Sequence, residues 1–413
     1  MATEQIGQSP EAKPRFFYGY IVVIAACFIM LLSLGTYFSF GVFLKPMLTH
    51  FGWTSAMTSG ALSLSWVVQG IVGIVMGKLN DRFGPRFVLT ISGFLLGLGY
   101  LLTSQTTTLW QLYLFYGVMV GAGIGGIVIS LLSTTARWFV NKRSMMTAIV
   151  AAGGGMGVLV APPIVSRLIS SHDWRTAYAI LGIVVLVLIV SVAQLMKLGS
   201  SQVGKRQYGE TGAHEEPVLQ AQVFSIAEAV STRQFWVISI LLFSFGYCTQ
   251  AVMAHIVLHS MELGISLFSA ANILAAIGGI SIIGRIVVGG AADRIGNRQT
   301  FIIALILIVV SLFWLVLATD VWMLYLFVAV FGIPRGAGAL VSPLVAELFG
   351  LRSHGMILGV VALGYTFGSA LGPFLTGHIF DVSGSYRLAF TVCAAIAILG
   401  VVWALLLRPN IKR

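Results

Sequence analysis

Twelve apolar segments, each long enough to cross a bilayer, set the limits on what this chain can become. They fall near residues 16–44, 56–79, 87–104, 109–137, 144–170 and 174–196, then 234–259, 267–291, 300–318, 321–348, 356–380 and 386–408. About 20 apolar residues of helix span a hydrocarbon core about 30 Å thick, where only helices and closed barrels satisfy every backbone polar group. These are continuous apolar runs rather than alternating ten-residue ones, which selects helices. The expectation is an all-α membrane protein with twelve transmembrane helices. Charged residues are 9% of the chain, against roughly 25% in a soluble domain, too few to build a surface facing water. The apolar run after the polar first fifteen residues exceeds a signal-peptide core and lacks a small-residue cleavage site, so it is expected to stay as the first span.

A polar stretch containing GSSQVGKRQYGETGAHEEP separates the first six segments from the last six. It reads as a solvated linker with a short amphipathic helix near Phe224 to Val230. The expected organisation is a tail, 1–15; a six-helix bundle, 16–196; a linker, 197–233; a second bundle, 234–408; and a tail, 409–413. The halves are related. Gly77, Asp81, Arg82, Gly84 and Arg86 return as Gly289, Asp293, Arg294, Gly296 and Arg298, a shift of 212 residues. Each copy lies between the second and third spans of its half, as in the parallel six-helix repeats of transporters, whose substrate site lies between the halves near the membrane midplane. Glycines allow a tight turn there, while an acid and several arginines pair across neighbouring helix ends. Asp81, Arg82, Arg86, Asp293, Arg294 and Arg298 are therefore expected to form a conformational latch at the gate.

Orientation follows from the cations. Of the 24 Lys and Arg, 18 fall on the side of the two termini, four on the other side, and Arg285 and Arg335 inside spans. Positive residues mark the cytoplasmic side, so both termini are expected there, in a multi-pass protein of the cell membrane. The net charge of +11 is then mainly a topology signal and no pointer to nucleic acid. Cys27, Cys248 and Cys393 sit in apolar runs without metal or disulfide spacing and read as packing residues.

Arg285 lies eight residues before Asp293 within SIIGRIVVGGAADRIGNR. At about 1.5 Å per residue, it sits roughly 12 Å inside the helix from that turn. A guanidinium at such depth costs at least about 2.5 kcal/mol and normally faces a polar cavity and an anion. None of the thirteen acids lies mid-span, and Glu347 and Asp381 lie near helix ends. A transported carboxylate is thus the expected partner. Ser281, one turn earlier on the same face, and Tyr37, Tyr116, Gln250 and Tyr365 are the candidates to orient it. Arg335, after Pro334 in FGIPRGAGAL and flanked by glycines that let the helix bend, reads either as a second cavity charge or, by preference, as an arginine bonded to carbonyls freed by the proline or snorkelling along a groove. His255 falls toward the outer end of the seventh span, an entrance position. The small-residue run AAGGGMGVLVAPP, Ala151 to Pro163, suits close helix contact rather than nucleotide binding. No catalytic triad or metal cluster is legible, so no enzyme activity, cofactor, metal or obligate protein partner is expected.

The spans, the paired halves and the doubled motif resemble the major facilitator superfamily. Within it FYGYIVV, ARWFVNKRSMMTAIVAAGG and SIIGRIVVGGAADR resemble the monocarboxylate transporter family. The resemblance implies alternating access and proton-coupled movement of lactate- or pyruvate-like anions, with Arg285 holding the carboxylate. Three family features are missing. The acid of the opening motif is absent, with Arg15 nearby; Ser281 stands where animal members have an aspartate; and their first-span lysine falls at Phe38. ARWFVNKR and Arg285 are also similar to oxalate/formate exchangers, whose additional eleventh-span lysine falls here at Val361. With Arg285 as the assigned cavity charge, the expectation is symport of a monocarboxylate, L-lactate or pyruvate, with a proton; the alternative is a carboxylate/carboxylate antiporter.

Overall fold

The computed structural model describes residues 18–139, 143–197, 226–350 and 354–407. The tails and most of the expected linker lie outside them. Among the described residues, twelve helices are long and apolar enough to cross a membrane. They are α1 (Gly19–Phe51), α2 (Ser55–Phe83), α3 (Pro85–Ser104), α4 (Leu109–Trp138), α5 (Met145–Ser171), α6 (Trp174–Ala193), α7 (Arg233–Glu262), α8 (Leu267–Ile295), α9 (Asn297–Leu317), α10 (Val321–Phe349), α11 (Met356–Ser383) and α12 (Tyr386–Leu406). A short helix, Ile226–Ser231, precedes α7. The helices form two six-helix bundles, α1–α6 and α7–α12. Their seam is made where α2 packs on α11, α5 on α8, and α7 on the second half of α1. Burial reports position in the bundle: 83% of the apolar window of α7 is buried, against 44% for α9, so α7 is central and α9 peripheral.

Three spans are irregular near their middles. In α1 the helix is interrupted at Ser39, whose hydroxyl donates to the Gly35 carbonyl at 2.8 Å. In α4, Tyr113–Val120 widens to a π-helix. In α10, Pro334–Leu340 tightens to a 3-10 helix, as the missing proline N–H dictates. Irregular backbone at membrane depth is tolerated only inside protein or along a cavity. The doubled motif builds one turn twice: Gly84 and Gly296 hold φ of 83° and 90°, accessible at low cost only without a Cβ, and lead into α3 and α9.

The start of α1, the end of α6, the start of α7 and the end of α12 share one face, here the terminal face; the other is distal. At the distal face the bundles are tied together. The Asp381 carboxylate at the end of α11 accepts from Ser55 N and Ala56 N, the first amides of α2, at 2.7 Å each. An anion at a helix N-terminus meets both free donors and the positive end of the helix dipole. Close by, Ser59 Oγ donates to the Pro373 carbonyl at 3.1 Å, and the Arg167 guanidinium of α5 lies 4.9 Å over the Phe268 ring of α8. His255 is no entrance group. Fully buried, it donates from Nε2 to the Pro373 carbonyl at 2.8 Å, which leaves Nδ1 to accept from the Tyr386 hydroxyl at 2.9 Å.

Asp381→Asn keeps the side-chain shape but removes the charge and one acceptor. The distal seam should weaken by about 1 kcal/mol, shifting the population toward a distally open state about fivefold. A cysteine placed at Ala56, 7% exposed, in a background free of other cysteines, should then react with a maleimide faster by that factor. An unchanged labelling rate would show that the cap does not hold the seam.

Candidate functional site

Helices α8 and α10 touch backbone to backbone, and this contact sets the site. A Cβ on Gly336 would lie 2.6 Å from the Arg285 amide nitrogen and 2.5 Å from the Gly284 carbonyl. The glycine therefore brings the 3-10 segment of α10 directly against Arg285. Arg285 is largely buried, and its Nη1 has no hydrogen-bond partner among the described residues. Arg335, one residue before Gly336, reaches away from its own helix. Its Nη1 contacts Met253 Sδ on α7, and its guanidinium carbon lies 5.9 Å from the centroid of the Phe38 ring on α1. Arg335 therefore extends from the second bundle to the first, rather than bonding freed carbonyls or snorkelling, as its sequence context suggests. Tyr365 and, more weakly, Arg285 act electrostatically on Arg335. Among the described residues neither arginine forms an ion pair.

The remaining wall is aromatic and amide. Gln250 Nε2 donates to the Tyr365 hydroxyl at 2.8 Å, leaving that hydroxyl proton available. Tyr365 meets Trp66 of the first bundle edge to face, with centroids 6.0 Å apart. Trp66 Nε1 is a second buried donor without a partner among the described residues. Arg285 Nη1 and Trp66 Nε1 are thus two buried donors left without acceptors, a costly arrangement, most of all for the charged one.

Tyr37 lines the same small seam cavity as Phe38, Trp66, Gln250 and Met253. Tyr37 and Tyr116 are fully buried and stacked on each other. The Tyr37 hydroxyl bonds Ser65 Oγ at 2.8 Å, and Tyr116 donates to the Tyr37 carbonyl at 3.0 Å. Ser281 donates its hydroxyl proton to the Gly278 carbonyl at 2.7 Å. In this geometry the hydroxyl presents lone pairs rather than its proton to a ligand. Trp66 and Met253 carry no sequence signal, since an apolar residue in a span reads as packing until a cation is seen beside it; Phe38 stands out only as the position where the resembling family has its first-span lysine.

The expected latch residues lie on the terminal face, mostly within a bundle. Asp81 pairs with Arg137, both substantially exposed, joining α2 to the ARWFVNKR end of α4. Asn80 reinforces this, donating to Ser133 Oγ at 3.0 Å and accepting from Ser130 Oγ at 2.6 Å. Arg86 donates from Nε to the Met196 carbonyl, and Arg298 from Nη2 to the Leu405 carbonyl, each at 2.9 Å. Each thus ties the third helix of its bundle to the end of the sixth, where carbonyls lack helical partners. Arg82 stacks beside Phe83, 5.1 Å from the ring centroid. Among the described residues Asp293 forms no pair like that of Asp81. At that end of the second bundle Asn297 Nδ2 instead donates to Glu347 Oε1 at 2.5 Å.

A family model, Major Facilitator Superfamily, matches residues 26–294 and 280–413. The chain belongs to that superfamily. Among its relatives, an oxalate:formate antiporter from Oxalobacter formigenes is 26% identical over the whole of this chain and 96% of its own length. Monocarboxylate transporter 13 from Bos taurus is 27% identical over 93% of this chain and 88% of its own. A bacterial homolog of the human lysosomal transporter Spinster, in an inward-facing and occupied conformation, shares the fold. Its TM-score is 0.75 at 14% identity, covering 94% of this chain and 97% of that one. The chain is thus a superfamily transporter similar to the monocarboxylate and oxalate types, with a multi-pass membrane fold.

Because the Asp81–Arg137 pair joins helix ends and lies far along α2 from the arginine site, Asp81→Asn should lower the maximal uptake rate severalfold while leaving equilibrium substrate affinity within about twofold. Paired binding and uptake measurements on one preparation decide it. Lost affinity with a normal maximal rate would remove the gating role.

Proposed function

We propose that this transporter moves small monocarboxylates, L-lactate or pyruvate, together with a proton by alternating access across the cell membrane. Arg285 is the clamp on the carboxylate, and both termini face the cytoplasm. The observation that carries the reading is the unpartnered Nη1 of Arg285, buried beside the contact of α8 with α10. A guanidinium presents paired N–H groups matched to a carboxylate, and a substrate anion neutralises a charge that the described side chains leave alone. Tyr365 and Gln250 supply a hydroxyl and an amide on the Arg335 side of the site, while Phe38, Trp66 and Met253 give an apolar surface for a methyl end. The monocarboxylate and oxalate:formate relatives support the substrate class.

One observation favours a second reading, carboxylate exchange. With Arg335 beside Arg285, an empty carrier reorients with two uncompensated cations in its seam, a step that a bound anion eases. Uptake into liposomes separates the readings. A symporter accumulates labelled lactate under an inward pH gradient with no carboxylate inside; an exchanger needs a preloaded carboxylate. Failure in both conditions, for lactate and pyruvate alike, would reject the proposed substrate class.

Arg285→Lys keeps the charge and loses the fork. Affinity for lactate should fall about ten- to a hundredfold, as expected for losing a charge-assisted hydrogen bond of about 1.5–3 kcal/mol. Equilibrium binding by the purified variant checks this, and wild-type affinity would remove Arg285 as the clamp.

A further inference from the structure

The inference rests on Arg285 as the carboxylate clamp and concerns the cation next to it. Arg335 is placed by construction rather than by chance. Pro334 begins the 3-10 segment, and Gly336 presses it onto Gly284 and Arg285. The side chain then crosses the seam to Met253 and Phe38. Once a carboxylate occupies the fork of Arg285, both of its oxygens have donors. Arg335 is then left with an aromatic face and a thioether sulfur, which are weak acceptors for a guanidinium withdrawn from water. A substrate offering one more acceptor close to its carboxylate removes that deficit; one carrying only carbon there does not. With Nη1 on Met253 Sδ, Arg335 keeps Nε–H and Nη2–H, which serve a single oxygen or a second carboxylate; oxalate as a probe separates the two.

We infer that Arg335 selects substrates with an oxygen on the carbon adjacent to the carboxylate, that is, 2-oxo and 2-hydroxy monocarboxylates. It donates an N–H to that oxygen while Arg285 holds the carboxylate. The methyl end then lies against the Phe38 and Trp66 rings, which the first bundle contributes. Arg335 is a specificity residue: it raises the affinity of one substrate class over another of equal charge.

The test compares pyruvate with propionate, which have the same charge and carbon count and differ at the 2-oxygen. Equilibrium binding is measured on the purified, detergent-solubilised full chain at one pH, with oxalate as a third probe. Wild type should bind pyruvate at least about tenfold more tightly than propionate. In Arg335→Gln, pyruvate affinity should fall about ten- to a hundredfold while propionate stays within about twofold, so that the ratio collapses. Arg335→Lys keeps the charge should the Gln variant fail to fold, and its ratio should fall between the two. A ratio unchanged in both variants would overturn the inference. So would an equal loss for pyruvate and propionate, which assigns Arg335 a general electrostatic role, or a larger loss for oxalate than for pyruvate, which assigns it a second carboxylate. Failure of the clamp itself shows separately, as Arg285→Lys leaving pyruvate and propionate both at wild-type affinity.

Discussion

A cation buried without an anion is the constraint on which this structure turns. A glycine contact between α8 and α10 brings the backbones that carry Arg285 and Arg335 together. Like charges in a medium poorer than water repel more strongly than at a surface, and removing a guanidinium from water has its own cost. A packed core would not keep two such groups unless something in the working cycle neutralises them. The surrounding side chains respond accordingly: aromatic faces, a thioether and an amide stand near the guanidiniums, and the acids lie at the helix ends. The site is thereby left short of acceptors, which is the chemical description of an anion's place.

Around that site the two membrane faces are built differently. Distally, Asp381 closes the seam through backbone amides of the opposite bundle. Such a contact is sensitive to angle and distance, so a small rotation of one bundle breaks both bonds together. On the terminal face, Asp81–Arg137, Arg86–Met196 and Arg298–Leu405 each bind helices of one bundle to one another. In this structure the bonds of the doubled motif thus run within each half, while the seam contact comes from a residue outside it.

Much of the fold was legible because a bilayer allows few solutions. Long apolar runs, cations clustered by side and a motif repeated at one spacing specified twelve helices and two halves before any coordinates. Arg285 was legible for the same reason, since a charge within an apolar run advertises itself. Arg335 was equally visible as a charge, yet its direction depended on how tightly α10 winds after Pro334 and on Gly336 meeting Gly284, which are tertiary facts. Tyr37, Tyr116 and Ser281 show the converse. A polar atom within a span satisfies a local backbone or side-chain group as readily as a ligand, and sequence alone does not distinguish the two.

The repeat also explains why the charge belongs to one half. The shift of 212 residues that superimposes Asp81 on Asp293 places Arg285 on Gly73 and Arg335 on Gly123. At Gly73 a Cβ would lie 2.6 Å from the Ile129 side chain, and at Gly123 one would lie 2.8 Å from the Ser92 carbonyl. The first half thus uses for close helix packing the two positions at which the second half carries guanidiniums. What it brings to the seam instead is Phe38 and Trp66. On the proposed function, an anion between the bundles would be gripped from one side and bounded by aromatic surface on the other. With the charged grip in a single half, the other half would move past the anion without breaking an ion pair, so that the seam would open on either face with the electrostatic contact intact.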